Sequence, residues 1–224
     1  MLLQLKISEK IFLRDPQETE LGRRIISASI AMIDEMGLES FTFKKLSKQI
    51  DSTEASIYRY FENKHSLLVY LIAWYWHWLE YRLTFSTNNI ADPQERLKTV
   101  VKLITEEKHY DKLFENVDEN ALQRIVINES DKTFLNKNVD EYNRSGAFLA
   151  FKSLCDHIAE LIHEINPNYQ YAHTLASTAL EAAHHQIFFY DHLPRLTDHH
   201  KFGNDPYQQN YEFILEMINK TISK

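Results

Sequence analysis

The chain has 224 residues, a net charge of −7, one cysteine, 4 Gly and 5 Pro, with 44% hydrophobic and 12% aromatic residues. That mix excludes a disordered chain, the lone Cys155 excludes a disulfide framework or a Cys-rich zinc site, and so few glycines argue against a phosphate-cradling loop. The charge-free run at the apolar peak, His65 to Leu79, is shorter than the roughly 18 residues a spanning helix needs, and Met1–Ile7 lacks a secretory pattern, so a cytoplasmic protein is expected.

The low glycine and proline count favours long helices, and the apolar spacing is helical throughout. Asp15-Pro16-Gln17-Glu18 reads as a cap and first turn, opening a helix that carries Ile26, Ile30 and Ile33 on one face and stops at Gly37. Thr42 caps a second helix to Ile50, Asp51-Ser52 breaks it, and a third short helix runs from about Thr53 to Phe61. A long helix from Lys64 to about Thr84 places Leu67, Leu68, Leu71, Trp74, Trp78 and Tyr81 at three- and four-residue spacing. Asp92-Pro93 starts a helix to about Lys108, and Asp118 another to Glu129; 132–137 is a connection. Val139 to Ile165 reads as one helix with Gly146 as a soft spot; helices at 168–192 and 207–222 follow, about nine helices in all.

Two short helices joined by a tight turn and preceded by a packing helix form a helix-turn-helix, here Thr42 to Phe61. Charge supports a separate module. Residues 1–66 carry ten Lys and Arg against ten Asp and Glu, so the whole acidic excess lies in 67–224. With Ile25-Ile26, Ala28 to Gly37, Thr42, Leu46, Ser56-Ile57-Tyr58, Tyr60-Phe61, Asn63-Lys64 and Leu67 in gapless register, the segment 24–67 resembles the DNA-binding domain of the TetR family of bacterial transcriptional regulators. The turn departs from that family's usual glycine and apolar residue, having Asp51 and Ser52; aspartate tolerates a left-handed backbone better than most residues.

The resemblance implies an all-α fold: an N-terminal three-helix DNA-binding domain (1–66) and a helical ligand-binding and dimerisation domain (67–224). It also implies homodimerisation through about 168–192 and 207–222, double-stranded operator DNA as partner, a small-molecule effector and, in the commonest case, repression. No membrane role and no cofactor are implied. A recognition helix presents its first residues to the base edges, which makes Thr53, Glu54, Ala55, Ser56, Tyr58 and Arg59 candidates for base contact. Tyr60 and Lys64 are candidate phosphate contacts, Lys44 is a candidate for base or backbone, and the cap residue Thr42 is a further DNA-binding candidate. Ile57 and Phe61 read as core, and Lys6, Lys10 and Arg14 as part of an ordinary N-terminal extension, with a DNA-touching arm as the alternative. Trp74, Trp78, Tyr81, Phe148 and Phe151 are candidates for an effector pocket. The rival reading is a helical-bundle metalloprotein using the Glu-x-x-His pairs Glu160/His163 and Glu181/His184.

Overall fold

The structure, a computed structural model, describes residues 4–114, 116–201, 203 and 205–223. Those residues form eleven α-helices, short 3-10 turns and no strand. The first four helices are α1 (Glu20–Ser40), α2 (Phe43–Gln49), α3 (Glu54–Tyr58) and α4 (Lys64–Thr87). They are followed by α5 (Pro93–Thr105), α6 (Glu119–Glu129), α7 (Asp131–Phe134) and α8 (Val139–Ser145). The last three are α9 (Leu149–Ile165), α10 (Ala172–His192) and α11 (Pro206–Ile222).

Three local expectations change. Asp15 does cap, accepting from the Gln17 N–H at 2.8 Å, but the turn it starts (Pro16–Glu18) is 3-10, and α1 begins afresh at Thr19, whose hydroxyl accepts from Gly22 N. Proline at the first position suits either helix type; Thr19 in extended geometry separates them. The expected 27-residue helix from Val139 is two, because Gly146 adopts φ 87°, a conformation that ends α8. The connection after Glu129 contains the short α7.

The chain divides into two compact units, Met1–His77 with Lys108–Ala150, and Trp78–Glu107 with Phe151–Lys224. The division falls inside α4, and 108–150 joins the N-terminal residues. The physical reason is the seam between α1 and α6. Arg124 holds Asp34 with Nε to Oδ1 at 2.9 Å and Nη2 to Oδ2 at 2.7 Å, and Lys132 pairs with Glu39 at 3.1 Å. Exposed pairs of this kind add little. Between them sits the stronger link, the Glu129 carboxylate accepting the buried Leu38 N–H at 2.9 Å. That N–H needs an outside acceptor because Gly37, at φ 72° and ψ 160°, breaks the α1 ladder one residue earlier.

In the first unit, α4 is apolar on every side from Leu67 to Trp76 and buried throughout that run. The turn leading into α6 is closed by Glu119, whose Oε2 accepts Asp111 N at 3.0 Å; desolvation there pushes its carboxyl pKa up to about 7. In the second unit, α11 packs along α10 and α5, and the buried Asn210 amide donates to the Ala183 carbonyl at 2.7 Å.

Candidate nucleic-acid interface

Helix α2 starts at Thr42, whose hydroxyl accepts from Lys45 N at 3.2 Å, and it buries Phe43, Leu46 and Ser47. The turn after it closes on Asp51 at φ 47°, the left-handed conformation that aspartate tolerates and most side chains resist. Ser52 N donates to Ser47 O at 2.9 Å, and the Arg24 guanidinium of α1 donates to the Ile50 carbonyl, so the turn is pinned from both sides. Thr53 then caps α3 through Ser56 N at 3.2 Å.

Only Ile57 of α3 is buried. Thr53, Glu54, Ala55, Tyr58 and Arg59 are exposed and Ser56 is half-buried, so the six candidates for base contact share one accessible surface. They are organised among themselves: the Ser56 and Thr53 hydroxyls lie 2.9 Å apart, and Arg59 Nη2 donates to Ser56 Oγ at 3.1 Å. Tyr58 is divided, one edge against Phe43 at 5.0 Å and 49% of the residue exposed. Lys44, Lys45 and Lys48 of α2 are exposed; Lys45 Nζ donates to Ser40 O at 2.7 Å, leaving Lys44 and Lys48 as the outward cations.

Two expected phosphate contacts are placed differently. Tyr60 is 2% exposed, and its hydroxyl lies 2.7 Å from Thr19 Oγ1, under the Arg14 guanidinium at 5.5 Å from the ring centre. Lys64 Nζ donates to the carbonyls of Leu38, Glu39 and Phe41 at 2.9, 3.1 and 3.3 Å. It satisfies the orphan acceptors left where α1 ends, a cationic C-cap supplied from α4.

The N-terminal residues belong to this module, which the sequence reading missed. Ile7 and Ile11 are buried, Phe12 meets Tyr70 edge-on at 5.9 Å, and Leu13 N donates to Tyr60 O at 2.8 Å. The four-residue spacing of Ile7 and Ile11 was the available signal. Gly22 allows this strap to lie against α1: a Cβ there would sit 2.3 Å from the Pro16 carbonyl oxygen. Lys6, Lys10 and Arg14 stay exposed along it.

The effector-pocket candidates fall in both units, Trp74 and Phe148 in the first and Trp78, Tyr81 and Phe151 in the second. Trp74 lines a cavity of about 340 Å³ in the first unit. Trp78, Tyr81, Phe148 and Phe151 do not line it. Trp78 is fully buried with Arg82 5.3 Å above it, Tyr81 stacks on Phe85 at 6.5 Å, and Phe148 stacks on Phe134 at 4.9 Å. For the metalloprotein reading, Glu160 and His163 lie on the exposed side of α9, with His163 Nε2 3.1 Å from the Tyr169 carbonyl, whereas a bundle-core metal site needs both pairs directed inward.

A sequence model described as bacterial regulatory proteins, tetR family, matches residues 25–71, the stretch from the buried face of α1 to the middle of α4. Residues 25–71 form a TetR-family helix-turn-helix module. The TetR-like fold extends beyond it. The fatty acid degradation regulator FadR from Bacillus halodurans superposes with a TM-score of 0.60 at 16% identity, over 94% of this chain and 96% of that one. AibR, solved with isovaleryl coenzyme A and operator DNA, gives 0.59 at 15% over 87% and 97%, and the ketosteroid regulator KstR2 of Mycobacterium tuberculosis 0.55 at 17% over 90% and 95%. No curated protein sequence is significantly similar to the chain. At these identities the likeness is one of fold, and it places the TetR-type module at the head of an all-helical chain. No helix among the described residues is long and apolar enough to cross a membrane.

Proposed function

We propose that this TetR-family protein is a cytoplasmic homodimeric repressor that reads an operator through α3 and leaves it when a small molecule binds. The observation that carries the reading is the division of α3: Ile57 fully buried, and Thr53, Glu54, Ala55, Tyr58 and Arg59 held outward by the rigid turn at Asp51. Hydroxyls suit any base edge, the Ala55 methyl suits thymine, Glu54 can accept from cytosine N4, and Arg59 suits guanine. Lys44 and Lys48 are the backbone contacts, with Thr42 positioning α2 through its cap. Dimerisation through α10 and α11 is supported by Leu193, Leu196 and Phe213, apolar side chains 46%, 60% and 42% exposed on or beside them. A two-fold dimer sets two recognition helices on half-sites one helical turn apart, and an effector acts by favouring a conformation that loses this spacing.

Selection of bound fragments from random duplex DNA tests the reading. The expected product is an inverted repeat bound by a dimer, with affinity falling on the order of tenfold or more in Arg59→Ala. A protein that stays monomeric and ignores every duplex at low ionic strength overturns it.

A further inference from the structure

The cavity of about 340 Å³ lies within the first unit, between the N-terminal strap (Gln17), α1 (Arg23, Ile26), α4 (Tyr70, Trp74) and the turn before α6 (Val117). Its volume falls at the small end of the range for ligand sites, roughly 300–1,000 Å³. Most of the wall is apolar. Trp74 and Phe114 meet edge to face at 5.4 Å and are 3% and 5% exposed. Two polar features stand out against that wall. Arg23 is half-buried, and its guanidinium donates from Nη1 to the Gln17 carbonyl at 2.8 Å, with no carboxylate paired to it among the described residues. A guanidinium has five N–H donors in a planar fork, so most of its capacity remains unspent. Tyr70 is completely buried, and its hydroxyl has no well-formed hydrogen bond, with the Gln17 side chain beside it. Buried polar groups without a partner are rare enough to require explanation. Asp15 is near Tyr70 but outside the wall, and its Oδ1 is occupied by the Gln17 N–H.

We propose that this cavity binds a small monocarboxylate with an aromatic or branched apolar body, the carboxylate on Arg23 and the body against Trp74 and Val117. The guanidinium fork matches a carboxylate, and the Tyr70 hydroxyl supplies a neutral donor as the strap adjusts. The effector role proposed above gives this site its regulatory meaning, but the binding itself does not depend on it. The strap that closes the cavity is the one that donates from Leu13 N to Tyr60 O, so a ligand that shifts it acts on the segment that follows α3.

Calorimetry on the full-length chain with phenylacetate and 4-methylpentanoate, each against its primary amide, tests the site. At least one carboxylate is expected to bind about tenfold or more tightly than its amide. Arg23→Gln should remove that preference, Arg23→Lys should restore part of it, and Val117→Trp, which fills the cavity without touching Arg23, should abolish binding. Failure of both carboxylates at millimolar concentration, or binding that survives Val117→Trp in a folded protein, overturns the site. Duplex selection without any ligand separates the two readings. Carboxylate binding without DNA binding removes the regulator and leaves the site; DNA binding without carboxylate binding removes the site alone.

Discussion

Helices α3 and α4 are neighbours in the chain and are held by opposite means. α3 has five residues and buries only Ile57. A helix that short has no stability of its own in water. It exists because Thr53 caps it, Asp51 accepts a left-handed turn, Arg24 holds the Ile50 carbonyl and the strap holds the Tyr60 carbonyl. α4 runs for 24 residues and is buried on every side over ten consecutive positions, Leu67 to Trp76. It needs no clamps, because transfer of that much apolar surface from water stabilises it at every turn. The surface proposed to read DNA is thus fixed by polar groups from outside the helix that carries it, and α4 is fixed by its own side chains.

Substitutions separate the two modes of support, and the largest effect is expected in α4. Trp78→Ala removes a fully buried indole and should cost about 3–5 kcal/mol, read as a lower urea midpoint. A loss under about 1 kcal/mol would mean that α4 is loosely packed and the contrast is false. Lys64→Ala removes the cationic cap on Leu38, Glu39 and Phe41 and should cost about 1–2 kcal/mol, less than for a buried charged donor because the site is partly wet. The salt dependence of DNA affinity should keep its slope in that variant; a phosphate contact would lower the slope by about one unit. Thr53→Ala should cost about 1 kcal/mol, the ordinary value of an N-cap, and should weaken DNA binding further by loosening Ser56 and, through it, Arg59. Arg59→Ala should leave the urea midpoint within about 0.5 kcal/mol while DNA affinity falls, since the side chain is exposed and its one bond, to Ser56 Oγ, is at the surface.

Helix α3 was legible in the sequence because amphipathic patterns declare their faces. Ile57 and Phe61 read as core and both are fully buried; Thr53, Glu54, Ala55 and Arg59 read as outward and are exposed. Tyr60 and Lys64, expected at phosphates, have protein partners that no local pattern announces. Each has a polar end that suits a phosphate, and each finds an acceptor or donor on a distant segment instead, Thr19 and the end of α1. Helix α4 was legible only as buried. With apolar side chains all round, spacing does not separate Trp74, at a cavity wall, from its equally buried neighbours. No local pattern announces that α6 will grip α1 through Glu129 and Leu38, the contact that joins 108–150 to the N-terminal residues.

Most helix positions, the caps at Thr42 and Asp92, the break at Gly37 and the tight turn at Asp51 were determined by the sequence alone, since each depends on residues within a few positions of one another. Which segments share a unit, where a cavity is left and which cations are already occupied were decided by tertiary structure. These depend on partners such as Glu129 with Leu38, 91 residues apart, and Lys64 with Leu38, 26 apart. Short-range geometry sets the elements, whereas burial and hydrogen-bond satisfaction are properties of the assembled interior, where a side chain's partner is chosen by packing.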